Sequence, residues 1–264
     1  LFRSALPIST DSAGQPFEGR AFQPNPHAGD SGDCDPALAI ALKGLGEAAG
    51  DSAPSSDAVS SVLAALAQAR VLIPLVAEAG ETGVTDSGAV FEKSQELAVV
   101  HVEAPDGRPV SPIFSDVEAL RAWNPEARPI PVAAQQAAVA AAKDGLALMV
   151  LNPGSSASLT LRRGAIRALA TGEAHVPAWE DLDVLEALRG AFGAEDSFAQ
   201  IESLRPGDPR YALEGPEVIV TLRVAPGMDS STLHARLALA TQAWGENPLL
   251  AERVDGFGVK VLSA

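Results

Sequence analysis

At Asp57 the chain changes character, and the residues after it limit the folds open to it. Val59, Val62, Leu63 and Leu66 recur at spacings of three and four, the period of a helix with one apolar face. Directly after them Val71-Leu-Ile-Pro-Leu-Val76 is a solid apolar run of strand length. A one-faced helix delivered straight into a buried strand must fold back on the sheet that holds the strand. Sheet and helices therefore share a core from the start, and Pro74 points to an edge or a bulge.

The same alternation continues downstream. Leu97–Val102 and Pro109–Phe114 read as two strands joined by the Asp106-Gly107 turn, a hairpin. Ser115 with Glu118 spells a capping box for a helix over 116–123, and Asn124-Pro125 stops it. An extended piece over 129–132 precedes an alanine-rich helix over 133–143, and the strand 146–151 leads into Asn152-Pro-Gly-Ser-Ser156, from which 158–161 returns. A helix over 163–170 ends at Thr171-Gly172. Beyond it come a helix (181–192), two strands (197–204 and 217–224), a helix (230–244) and a last strand (257–262). Hairpins mixed with crossovers predict an α+β fold with mixed β-sheets and helices packed mainly on one face, in two units. The expected boundaries are a largely irregular arm over 1–57, rich in Gly, Pro, Ser, Asp and Asn with at most one short helix, a domain over 58–172 and a smaller unit over 173–264.

Charge and cysteine content remove whole classes of function. The net charge of −15 is carried as −5 over 1–57 (3 basic, 8 acidic), −2 over 58–172 (9 and 11) and −8 over 173–264 (7 and 15). Such a field repels phosphate backbones and anionic membranes, so neither nucleic acid nor membrane is an expected partner. No apolar run reaches the roughly 20 residues of a membrane span, and the first residues lack the apolar core of a secretory signal. Cys34 is the single cysteine, which excludes an internal disulfide, a zinc ribbon or an iron–sulfur site and fits a reducing cytoplasm. Arginine outnumbers lysine 15 to 4, a usage that suggests a high-GC bacterial genome.

No stretch carries the density of a catalytic signature. Asn152–Ser156 lacks the second glycine and the lysine of a phosphate cradle, and reads first as a tight corner. Its second reading is a seat for a small anion or amino acid, recognised by the backbone amides near Gly154 and Ser155. Gly29-Asp-Ser-Gly32, with His27 nearby, matches the tetrapeptide around the nucleophile of trypsin-like proteases, but it lies in the arm, where catalytic geometry is not held. His175, Glu180, Asp181 and Asp183 fall within nine residues, yet acidic residues at a helix start are explained by its positive end. His101 and His234 have no visible partner. Trp123, Trp179 and Trp244 sit near helix boundaries, where tryptophan fills cores more often than it anchors partners.

Phe114-Ser-Asp-Val-Glu-Ala-Leu-Arg-Ala-Trp123, preceded by the strand at 72–76 and followed by the alanine-rich helix and a strand ending in Asn152-Pro-Gly154, resembles the SseB N-terminal domain family over roughly residues 60–170. The tail, from Val218 through Pro226-Gly227 to Trp244, is similar to the second half of longer actinobacterial members. The resemblance implies neither catalytic residues nor a cofactor. The resulting expectation is a cytoplasmic, non-enzymatic interaction or regulatory protein without a bound metal, meeting an unidentified protein partner through its acidic second unit or the Trp123 surface, with self-association left open. The alternative is a small-molecule module built on Asn152, Gly154, Ser155 and Ser156.

Overall fold

The computed structural model describes residues 29–48, 55–78, 82–84, 90–92, 96–192, 199–227 and 229–263. Gly32–Ala264 form one compact unit. In chain order the elements of that unit are α1 (Pro36–Ala48), α2 (Ser56–Leu66), β1 (Arg70–Glu78), β2 (Thr82–Val84), β3 (Val90–Glu92), β4 (Glu96–Val99), β5 (Val102–Glu103), β6 (Pro109–Ile113), α3 (Val117–Trp123), β7 (Arg128–Ala133) and α4 (Ala134–Lys143). They continue with β8 (Met149–Leu151), β9 (Leu159–Leu161), α5 (Arg163–Thr171), α6 (Leu182–Gly190), β10 (Ala199–Pro206), β11 (Val218–Val224), α7 (Ser230–Glu246), α8 (Pro248–Arg253) and β12 (Phe257–Ser263). The fold is α+β.

Its sheets are mixed: β8 lies parallel to β6 but antiparallel to β9, and β11 lies antiparallel to β10 but parallel to β12. β1 is the centre of the sheet β4-β1-β7. The backbone bridge between Leu72 and Phe114 ties it to the neighbouring sheet β5-β6-β8-β9. The solid apolar run of β1 is explained by that place. Val71 faces a core built with α1, α2, α4 and α5, while Leu72 faces Phe114, Leu120 and Ala127 on the α3 side. Helices thus cover mainly one face, with α3 on the other.

Two hydrophobic cores lie inside the unit. The first gathers Leu38, Leu42 and Leu45 of α1, Val59, Val62, Leu63 and Leu66 of α2, and the inward residues of β8, β9 and α5. Full burial of each leucine stabilises by about 2 kcal/mol, so the helix expected within the arm is a substantial part of this core. The second gathers α6, α7 and α8 over one face of β10-β11-β12 around Trp244, which is 2% exposed and donates its indole N–H to the Leu188 carbonyl at 2.9 Å.

Three local expectations are corrected, and one element lies where none was expected. Residues 97–102 are not one strand: β4 pairs with β1 and β5 with β6, so the expected hairpin is divided between two sheets at Val100-His101. Pro74 lies in a central strand, not at an edge. β4 pairing begins only at Leu75, so the absent N–H falls at the end of that ladder, where the Pro74 carbonyl still accepts from Val100 N. Asp116, not Ser115, caps α3, accepting from Ala119 N at 2.8 Å. Finally α8, six residues with Pro248 in its first turn and Asn247 as cap, is a helix that apolar spacing does not reveal, because it holds too few apolar positions to show a period.

Candidate functional site

Two buried polar assemblies hold the candidate residues. One is a junction beneath the Asn152 corner, built on the neutral pair Asn152 and Ser115. Asn152 is 5% exposed and takes a positive φ of 49°, a conformation asparagine tolerates better than most side chains. Its Oδ1 accepts from Ser115 N at 2.9 Å and its Nδ2 donates to Ser115 Oγ at 2.9 Å. Ser115 Oγ in turn donates to Asp116 Oδ2 at 2.7 Å, and the Ser115 carbonyl accepts from Arg70 at 2.6 Å. Cys34 is half-buried nearby, and burial pushes its thiol pKa up.

Of the turn beyond Asn152, the Ser155 amide is consumed by the Asn152 carbonyl at 3.1 Å, and Ser155 Oγ accepts from Ala157 N. Gly154 and Ser156 are exposed. Gly154 also borders a hollow of about 290 Å³ shared with Val102, Val150, Tyr211 and Leu213. Trp123 is half-buried against Phe114, their rings 5.3 Å apart. The strand end at Phe114-Ser115 thus touches both the corner and the tryptophan.

The second assembly is ionic and lies almost wholly outside the sequence candidates. Arg162, 4% exposed, precedes α5 and reaches Asp208 Oδ2 at 2.5 Å, Asp255 Oδ2 at 2.9 Å and the Gly215 carbonyl at 2.8 Å. Arg108 comes in from the surface to Asp255 Oδ1 at 2.8 Å and also pairs with Asp106. Glu217, 6% exposed, accepts the Asp255 amide through Oε2 at 2.6 Å. Asp208 and Asp255 thus divide one fully buried guanidinium, a second and partly exposed one reaches Asp255, and Glu217 joins them through the Asp255 backbone. Burial above all pushes the Glu217 carboxyl up to about 7; the Asp255 charge acts the same way, while the hydrogen bond from the Asp255 amide and the charges of Arg162 and Arg163 pull it down.

The loop from Gly207 to Glu217 is wound to present these groups. Asp208 accepts from Ala212 N and Leu213 N, and Tyr211 and Leu213 are held at positive φ (54° and 61°), each a cost of about 1–2 kcal/mol for a residue with a side chain. Glycine is required where the loop closes: a Cβ on Gly207 would lie 2.3 Å from the Pro216 carbonyl oxygen, and one on Gly215 would lie 2.8 Å from that of Gly207.

Arg162, Asp208, Tyr211 and Glu217, with Thr160, His175 and Trp179, wall a hollow of about 20 Å³, room for one water-sized group. The Trp179 and Tyr211 rings stand 6.2 Å apart. Burial pushes the Tyr211 phenol up, as do the charges of Glu217, Glu180 and Asp208. Burial also pushes the His175 imidazole down to about 4, which leaves it neutral.

The other sequence candidates are dispersed. Asp181 caps α6 and, with Asp183, pairs with Arg253, while Glu180 accepts from Ser56. His175 alone of that group faces the hollow. Among the described residues no group of three or more His, Cys, Asp or Glu side chains is arranged around a metal position. His101 and His234 are exposed, and His27 lies outside the described residues. A signal for the ionic assembly does exist in the sequence: Arg162-Arg163 opens a helix, where the positive end disfavours cations, so these arginines must serve something other than the helix.

No curated protein and no solved structure gives a significant match to the chain. Residues 45–168 match the SseB protein N-terminal domain family. That span contains Ser115, Asn152 and Arg162, whereas Asp208, Glu217 and Asp255 lie beyond it. From the last turn of α1 into α5, the chain is similar to an SseB N-terminal domain.

Proposed function

We propose that this chain is a non-enzymatic interaction module, a regulatory protein that meets a protein partner through the outer face of α7. The observation that carries the reading is Leu239, which is 65% exposed, with Ala235 and Ala243 exposed one turn to either side of it. The inner face of α7 already packs on the second core through Ala240 and Trp244. A leucine with alanines one turn to either side leaves apolar area on the outer face to bury. The −8 charge over 173–264 favours a partner whose rim is basic. The single cysteine fits a reducing, cytoplasmic setting, and no helix among the described residues is long and apolar enough to cross a membrane.

Affinity purification from the native host tests this with the full chain and its Leu239→Glu variant. Recovery of a specific partner should fall more than tenfold with an unchanged circular dichroism spectrum. Equal recovery would remove α7 from the reading. A second reading, a small anion or amino acid at the Asn152–Ser156 turn, is favoured by the hollow beside Gly154. Calorimetry against a metabolite panel, with Gly154→Val as control, decides it, and no heat with any ligand disposes of it.

A further inference from the structure

The hollow between Trp179, Tyr211 and Glu217 differs from the α7 face in kind, and its chemistry is independent of the interaction reading. Three features of its wall select a ligand. Glu217 makes a single hydrogen bond, through Oε2, so Oε1 remains an open acceptor in a residue only 6% exposed. Around it the buried carboxylates outnumber the buried guanidinium of Arg162, whose two terminal nitrogens are already engaged by Asp255, Asp208 and the Gly215 carbonyl. Two aromatic rings, Trp179 and Tyr211, complete the wall. An acceptor, an excess of negative charge and aromatic faces together match a cation with N–H donors, and cation–aromatic attraction strengthens as such a site is desolvated.

Size and surroundings narrow the cation. About 20 Å³ admits one water-sized group, the size of an ammonium head and too small for a guanidinium. Leu63, Ala165 and His175 line both this hollow and a second of about 220 Å³, walled also by Ala64, Ala67, Ala168 and Leu169 among others. The second wall is apolar, the environment of a methylene chain. His175, neutral between the two, adds no opposing charge.

We infer that the paired hollows are a binding site for a primary alkylammonium group, its head against Glu217, Trp179 and Tyr211 and its methylene stem beyond His175. The group is carried by a free amine or by a lysine side chain. Because the head needs Glu217 ionised, binding is coupled to the loss of its proton. The charged and titratable groups facing Glu217 are Asp255 before β12, Arg162 and Arg163 at the start of α5, and Asp208 and Tyr211 of its own loop, with His175 across the hollow.

Calorimetry on the full chain with n-butylamine, n-butyrate, n-butanol and Nα-acetyl-lysine amide tests the inference. At pH 8 at least one of the two amines should bind, at least tenfold more tightly than butyrate or butanol. A preference for butylamine identifies a free amine as the ligand, and a preference for the lysine derivative identifies a side chain. Glu217→Gln should weaken the amine at least tenfold, Trp179→Leu several-fold, and Tyr211→Phe, which keeps the ring, less than twofold. In the unmodified chain amine affinity should rise about tenfold from pH 6 to pH 8, a readout that does not depend on any variant folding. Absence of binding by both amines, butyrate binding equally well, or affinity indifferent to pH and to Glu217→Gln overturns it. None of these outcomes bears on α7, whose partner recovery is read separately.

Discussion

The junction at Ser115 and Asn152 and the cluster around Arg162 are both buried and polar, yet they are made differently. In the first every strong donor and acceptor finds a neutral or surface-reaching partner within one or two neighbours: Asn152 answers both the amide and the hydroxyl of Ser115. In the second, Asp208 and Asp255 divide one buried guanidinium, Arg108 reaches Asp255 from the surface, and Glu217 keeps an acceptor open. A satisfied neutral pair stiffens a corner and is indifferent to pH. An over-supplied ionic cluster costs stability and responds to protons and cations, which is the behaviour of a site.

Removing the cation should break the comparison most sharply. Arg162→Leu leaves Asp208 buried without its cation and Asp255 with Arg108 alone, a loss of about 3–5 kcal/mol, or roughly 10 °C in Tm for a unit of this size. Differential scanning calorimetry at pH 7 checks it, and acidification should recover part of the loss as the carboxylates protonate. Asn152→Ala should cost about 2 kcal/mol through the orphaned Ser115 amide and the strained φ. Denaturant unfolding should find that cost constant from pH 5 to 8; a cost that varies with pH would mean the junction is also ionic.

Glu217→Gln sharpens the contrast from the other side. Burial raises the folded pKa to about 7 from an ordinary 4.5, so between those values the folded chain holds a proton that the unfolded chain has lost. The stability linked to that proton is full below about 4.5 and is lost as pH rises through 7. The unmodified chain should therefore fall behind the glutamine variant by a margin that widens by on the order of 2 kcal/mol between pH 5 and pH 8, measured by urea midpoints. His175 has the opposite sign. Its folded pKa of about 4 lies below the ordinary 6.5, so its contribution is full above 6.5 and is lost as pH falls through 4. His175→Gln should spare the chain about 1 kcal/mol of that acid-side loss.

Both assemblies sit in a fold whose elements were largely legible, because apolar spacing and local caps act over a few residues. The period of Val59, Val62, Leu63 and Leu66 yields α2, and Asp181 yields the start of α6. The blocks Phe114–Trp123 and Asn152–Gly154 could be recognised separately, although their joining through Ser115 and Asn152 could not. What sequence reading missed is set by pairing across distance. β4 and β5 belong to different sheets, a fact no alternation within 97–102 expresses. The ionic cluster spans separations of 46 residues from Arg162 to Asp208, 93 from Arg162 to Asp255 and 38 from Glu217 to Asp255. Charges so far apart resemble solvated surface residues until the chain closes.

The contrast between a stiff corner and a poised site rests on the state of one carboxyl group. A carbon-13 NMR titration of the Glu217 side chain in the full protein reads that state directly. The expected midpoint is about 7, moving downward when n-butylamine is added. A midpoint near the ordinary 4.5, unmoved by the amine, would contradict it and leave the Arg162 cluster a structural ion pair like any other.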